Sequence, residues 1–158
     1  AMSQKFQYPR RPPRLSQLVA SPLYFVTFNT FKRARLLDNA ATHESFREYC
    51  AEAVRRGVGV GRYVIMPDHI HLFARLPPDG PTLSRWIQGL KAVMGKSLLA
   101  MRFVKPHWQE GFFDHILRND EGYGEKWRYV ASNPVRAGLT AKAEDWPYQG
   151  EVIVIDRA

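Results

Sequence analysis

Two runs rich in β-branched and aromatic residues, Val58 to Met66 and His69 to Leu76, stand either side of Pro67-Asp68, and this pairing constrains the fold more than anything else in the chain. Proline and aspartate favour a tight turn, so the runs should form an antiparallel hairpin. On both sides the period changes. Upstream, Phe46, Tyr49, Cys50, Ala53 and Val54 fall at i, i+3, i+4, i+7 and i+8 before Gly57, which predicts an amphipathic helix over about residues 40 to 56. Downstream of the breaker Pro77-Pro78-Asp79-Gly80-Pro81, residues Leu83, Trp86, Ile87, Leu90, Met94 and Leu98 mark a second helix. Tyr24 to Phe28 reads as a first strand, and the segment His107 to Leu117 supplies a fourth. From Asp120 a third helix runs through Trp127, Tyr129 and Val130 to Asn133-Pro134, where proline ends or kinks it. The order βαββαβ plus a helix predicts an α+β, ferredoxin-like antiparallel sheet with two helices on one face and a C-terminal tyrosine-bearing helix.

A chain of 158 residues with 45% hydrophobic and 13% aromatic residues fits one domain with its own core. That domain is expected over 21–148. Residues 1–20 read as a flexible basic arm, since Lys5, Arg10, Arg11 and Arg14 come with no acid and Pro9, Pro12 and Pro13 oppose regular structure; 149–158 read as a tail. The arm either lies along phosphates or is a solvated tail. Lys and Arg number 23 against 15 Asp and Glu, a net charge of +8 that favours a polyanionic partner, with nucleic acid first. Cys50 is the single cysteine, which excludes an intramolecular disulfide and a multi-cysteine zinc site, and its place among apolar helix positions makes it a packing residue. No run approaches the ~18 apolar residues of a membrane span. With no apolar leader at the N-terminus either, a cytoplasmic protein without membrane contact is expected.

In His69-Ile70-His71-Leu72-Phe73 the residues alternate, so both imidazoles point to one face of the strand and Ile70 and Leu72 to the other. The pair is placed to bind one divalent cation, or it is simply exposed on a sheet face. Tyr129 and Asn133 are four apart and share a helix face. The amide oxygen of Asn133 can be a metal ligand, and a phenol one turn away could attack a phosphorus beside it. By spacing alone a tyrosine so placed is more often structural.

Three ordered blocks carry more information. Val64-Ile65-Met66-Pro67-Asp68-His69-Ile70-His71-Leu72-Phe73 is followed by Trp108-Gln109 with Phe112-Phe113-Asp114-His115-Ile116-Leu117-Arg118. Then comes Tyr129-Val130-Ala131-Ser132-Asn133-Pro134-Val135-Arg136-Ala137-Gly138-Leu139. Together they resemble the signature blocks of REP-associated tyrosine transposases, a domesticated branch of the single-tyrosine HUH transposases of bacterial insertion sequences. The resemblance runs from the first strand to about Trp146-Pro147, after which this chain has Gln149-Gly150 where relatives often have small hydroxyl residues.

The resemblance implies that His69 and His71 bind the catalytic metal, Mg²⁺ or Mn²⁺, that Asn133 completes the metal site and that Tyr129 is the nucleophile. It implies cleavage of single-stranded DNA beside a small hairpin such as a REP-like palindrome, leaving a 5′-phosphotyrosine and a free 3′-hydroxyl, by a monomer or a homodimer. Lys126, Arg128 and Arg136 flank the site and could grip the DNA backbone, with Arg10, Arg11 and Arg14 of the arm. Trp127 either stacks an unpaired base or packs in the core, and His115 either helps the chemistry or, as is commoner for a histidine, packs or contacts phosphate. Arg85, Lys91 and Lys96 on the second helix form a hairpin-binding surface or a solvated face. The alternative function is a domesticated protein that recognises hairpins without cutting them. A metal phosphohydrolase with two His-x-Ser/Thr motifs is disfavoured, because His71 and Phe73 stand two residues after His69 and His71 where Ser or Thr would be needed.

Overall fold

The computed structural model describes residues 21–117 and 122–155. The proposed arm, with Arg10, Arg11 and Arg14, lies outside the described residues. The strands are β1 (Leu23–Asn29), β2 (Gly59–Ile65), β3 (His69–Arg75), β4 (Phe113–Leu117) and β5 (Gln149–Glu151). The helices are α1 (Ala40–Ala53), α2 (Leu83–Ala100), α3 (Tyr123–Ala131) and the short α4 (Asn133–Arg136). The strands form one sheet in the order β4-β1-β3-β2-β5, every neighbouring pair antiparallel. The first four strands thus have the expected ferredoxin-like arrangement, with β5 added at the edge.

Both long helices begin on a side-chain cap, which satisfies an otherwise orphaned N–H in the first turn. Asn39 Oδ1 accepts from Thr42 N–H at 2.9 Å and Thr82 Oγ1 from Arg85 N–H at 3.2 Å. The apolar stripes read from the sequence are the buried faces: Phe46, Cys50 and Ala53 on α1, and Trp86, Ile87, Leu90, Met94 and Leu98 on α2. They close one face of the sheet over Val26, Phe28, Val60, Ile70 and Leu72. Burial pushes the Cys50 thiol well up, as befits a packing residue.

The opposite face carries a second core, in which Leu23, Val64, Phe73 and Leu117 meet Trp127 and Val130 of α3 together with Trp146, Ile153 and Ile155. The residues set aside as a tail therefore hold β5 and two core isoleucines. Gly61 permits the approach of α3: a Cβ there would come within 2.5 Å of the Tyr123 hydroxyl. That hydroxyl accepts the Arg62 backbone N–H at 2.8 Å, which pins the start of α3 to β2. No helix among the described residues is long and apolar enough to cross a membrane.

A histidine outside the candidate site makes the fold acid-sensitive. Tyr63 is fully buried, and its hydroxyl accepts from Arg47 Nη1 at 2.7 Å while donating to His43 Nε2 at 2.7 Å. The edge of Tyr148 also meets the His43 ring. Burial, aided by Arg47, lowers the His43 pKa from 6.5 to about 4. Between those values the unfolded chain binds the proton that the folded chain refuses, so stability is lost as pH falls through that window. The loss should be about 1 to 2 kcal/mol once solvent screening is allowed for. His43→Gln keeps an acceptor for Tyr63, so the fall in melting temperature from pH 7 to pH 4.5 should be several degrees smaller in the variant; equal falls would exonerate His43.

Candidate active site

β3 runs through the middle of the sheet, and its pleat sorts the side chains as expected. Ile70, Leu72 and Ala74 enter the core under α1 and α2, while Phe73 enters the core under α3. His69 and His71 share the Phe73 face. The helix bearing Tyr129 therefore covers the face on which the imidazoles stand.

Each imidazole is held through its Nδ1. His69 Nδ1 lies 2.8 Å from Asp68 Oδ1 and His71 Nδ1 lies 2.7 Å from Thr27 Oγ1, Thr27 being the register partner of His71 on β1. A carboxylate only accepts, so the Nδ1 proton of His69 goes to Asp68 and its Nε2 keeps a lone pair. Arg33 Nη2 stands 3.3 Å from the same Nδ1. With the proton there, that approach is a contact between two donors and not a hydrogen bond. Arg33 is anchored instead by Nε, which donates to Asp68 Oδ2 at 2.9 Å. The two rings are 4.8 Å apart and nearly perpendicular, and Phe25 stacks on His71 at 5.4 Å.

Burial lowers the pKa of His71 to about 3, reinforced by His69, Lys126, Arg136 and Arg33. Burial also lowers His69, against the opposing pull of Asp68. Asp68 is pushed up by burial but ends below its usual value through its bonds to His69 and Arg33. Both imidazoles are thus neutral at pH 7, with a ring nitrogen free of protons. Two neutral imidazoles held at Nδ1 fit the donor set of a divalent cation: the Asp68 carboxylate fixes the His69 tautomer with Nε2 unprotonated, and the Thr27 hydroxyl, able to accept the Nδ1 proton, is compatible with the same tautomer at His71. Among the described residues no three His, Cys, Asp or Glu converge, so a further ligand from among them would be of another kind.

Asn133 is the candidate for that role. α3 ends at Ala131, where Ser132 Oγ donates to the Tyr129 carbonyl at 2.6 Å, and α4 restarts with Pro134 in its first turn. The Arg136 guanidinium lies 4.0 Å from the centre of the Tyr129 ring and donates to Ser132 Oγ at 2.8 Å and to Asn133 Oδ1. Tyr129, Asn133 and Arg136 therefore form one cluster, with the Asn133 oxygen held by Arg136. Tyr129 is 67% exposed. The other tyrosine of α3, Tyr123, packs edge-on against Phe73 with its hydroxyl engaged by the Arg62 N–H.

The remaining candidates divide. Lys126 sits over the Phe25 ring at 5.1 Å and, like Arg136, depresses His71. Arg128 is exposed on α3. His115 is exposed on β4 opposite Phe25 in register, on the histidine face. Trp127 corrects the expectation of a base-stacking platform: it is buried to 8% exposure among Phe73, Val64 and Ile153, with Arg62 across its ring at 5.6 Å. No face of it is left for a nucleobase. Three residues not singled out from the sequence join the site, namely Thr27, Arg33 and Asp68. Asp68 could have been inferred from its place beside His69; Thr27 needs the β1–β3 register, and Arg33 has no local signal.

An antiparallel ferredoxin-like sheet, a His-hydrophobe-His pair on its central strand and a tyrosine-bearing helix over the same face define the HUH transposase fold. Residues 19–122 match the family model described as "Transposase IS200 like", and the chain belongs to that family. The matched segment contains His69 and His71 and ends before Tyr129. The REP-associated tyrosine transposase of Escherichia coli K12 is 30% identical over 90 residues, covering 56% of this chain and 52% of that protein. A Haemophilus influenzae protein provisionally assigned to the same group is 32% identical over 94 residues, 53% of each chain. The chain spans about half the length of these curated relatives. A solved REP-associated tyrosine transposase bound to a REP hairpin superposes with a TM-score of 0.62 at 25% identity, over 94% of this chain and 82% of that one.

Proposed function

We propose that this protein cuts and rejoins single-stranded DNA beside a small hairpin, with His69, His71 and Asn133 holding Mg²⁺ or Mn²⁺ and Tyr129 as the nucleophile. The observation that supports the reading is the holding of both imidazoles through Nδ1 on the sheet face covered by the tyrosine helix, which leaves the Nε2 of His69 with a lone pair and that of His71 with one when Thr27 accepts the Nδ1 proton. A divalent cation bound there would draw charge from the non-bridging oxygens of the scissile phosphate. The Tyr129 oxygen attacks phosphorus, the bond from phosphorus to the 3′-oxygen breaks, and the tyrosine proton passes through solvent to the departing oxygen. A 5′-phosphotyrosine and a free 3′-hydroxyl result, and attack by that hydroxyl reverses the step with no ATP. Phenols ionise near pH 10, so the exposure of Tyr129 matters: water can take the proton as the bond forms.

The hairpin partner is supported by the solved relative, which holds a REP hairpin, and by the net charge of +8. A protein that binds hairpins without cutting them is the second reading. What favours it is the Asn133 oxygen, engaged by Arg136 rather than turned free. Both readings predict that a hairpin with a single-stranded flank binds at least about tenfold more tightly than random duplex at one fixed salt concentration, because a stacked duplex hides its bases. Equal affinities in a fluorescence-anisotropy titration would count against both.

A further inference from the structure

Phe31–Arg33 is a single 3-10 turn between β1 and α1, and its backbone would suit other residues better. Lys32 has φ 52° and ψ 27°, and Arg33 has φ 57°. Successive non-glycine residues in the left-handed region cost on the order of 1 kcal/mol each, and such strain persists only where the surroundings over-determine it. Here they do. Thr30 N–H donates to the Asp68 carbonyl at 2.9 Å, Phe31 N–H to the His107 carbonyl at 2.9 Å, and the N–H groups of Leu36 and Leu37 to the Pro67 carbonyl at 2.9 and 3.0 Å. The fully buried Thr30 adds a bond from Oγ1 to the Ala34 carbonyl at 2.7 Å. The turn is thereby stapled to the Pro67-Asp68 corner that launches β3, and glycines at 32 and 33 would make the same bonds without strain.

What the strained turn achieves is the placement of one guanidinium. Arg33 Nε is bound to Asp68 and Nη2 stands against His69, yet the side chain remains 52% exposed. A guanidinium has five N–H donors in a fixed fork. Asp68 takes one and His69 takes none, and the others have no acceptor among the described residues. Orienting Asp68 does not account for the strain, because an exposed arginine-carboxylate pair contributes about 0 to 1 kcal/mol. That is no more than the two left-handed residues cost. Arg33 reaches the histidines from the end of β1, whereas Lys126 and Arg136 reach them from α3 and α4.

We propose that Arg33 is a phosphate-binding residue of this site, whose free N–H edge holds a non-bridging oxygen of the DNA backbone at the histidine pair, alongside the cations Lys126 and Arg136 of the tyrosine helix and its continuation. The role rests on the reading that this site takes DNA. It gives the positively charged turn a purpose that stability does not, because a guanidinium with free N–H donors is suited to phosphate oxygens.

Arg33→Gly removes the guanidinium together with the strain at position 33, leaving that at Lys32. The variant should melt at or above the wild-type temperature, since glycine adopts this φ freely and the lost ion pair is exposed. It should bind a labelled hairpin oligonucleotide with a single-stranded 5′ extension about tenfold more weakly in EDTA, with the slope of log affinity against log salt reduced by about 0.7 to 0.9, the worth of one phosphate contact. Arg33→Lys keeps a cation and should keep the slope. Wild-type affinity and slope in Arg33→Gly overturn the role, and a lowered melting temperature with an unchanged slope does so as well, leaving Arg33 a structural residue. If the wild-type protein does not prefer this oligonucleotide to random duplex, the proposed function itself has failed and the role of Arg33 falls with it.

Discussion

Tyr129→Phe is expected to abolish covalent attachment of the protein to cut DNA and to lower strand cleavage at least about a thousandfold, because the substitution deletes the only atom that forms the new bond to phosphorus. The argument is one of access. Tyr129 is 67% exposed and shares its cluster with Asn133 and Arg136. Tyr123, six residues earlier on the same helix, has its hydroxyl tied to the Arg62 N–H, and burial pushes its pKa up. Incubating the protein with labelled hairpin DNA and Mg²⁺ should give a species that survives denaturation in wild type and in Tyr123→Phe, but not in Tyr129→Phe. Removing an exposed hydroxyl should leave the melting temperature unchanged, whereas Tyr123→Phe should lose about 1 kcal/mol with its hydrogen bond. An adduct that persists in Tyr129→Phe and vanishes in Tyr123→Phe would transfer the role. No adduct from any of the three proteins, with cognate hairpins supplied, would favour the non-cleaving reading.

The parts of this fold that were legible in the sequence are those whose signal is local. Alternation in His69 to Phe73 placed two imidazoles on one face, and the 3.6-residue stripes of α1 and α2 named the core positions that are buried. Asn133-Pro134 marked the break between α3 and α4. Contacts that depend on which strand lies beside which were not legible. Thr27 becomes the partner of His71 only through the β1–β3 register.

Trp127 was open to two readings because a short helix with Lys126 and Arg128 beside it looks solvated; the second sheet face decides the matter, and that face is completed by Ile153 and Ile155. Gln149-Gly150-Glu151 carries no β-forming residue, yet it pairs with Arg62 to Val64. Gly150 is what the pairing needs, because a Cβ there would stand 2.8 Å from the Tyr63 hydroxyl. Glycine at this position is therefore a packing requirement made by Tyr63 and Arg47.

His71→Ala should remove metal-dependent cleavage, by at least about a hundredfold, while leaving hairpin binding in EDTA within about threefold of wild type. The two effects separate because they draw on different atoms. In the proposed mechanism cleavage needs the neutral imidazoles as metal ligands, and Thr27 and Asp68 hold the rings in place through Nδ1. Affinity for DNA comes from Lys and Arg side chains such as Lys126 and Arg136, which the substitution leaves in position. Truncation opens space beside Phe25, which stacks on His71, so a modest fall in melting temperature is expected without loss of fold. Asp68→Asn should act in the same direction but less, weakening Mn²⁺ binding by calorimetry about 10- to 100-fold, since an amide, which can donate as well as accept, no longer fixes the His69 tautomer and carries no charge. Cleavage by His71→Ala at the wild-type rate and with the wild-type metal dependence would take the histidines out of the chemistry. Cleavage lost together with hairpin binding would mean that His71 holds the DNA itself, and the division of labour between the histidine pair and the surrounding cations would have to be redrawn.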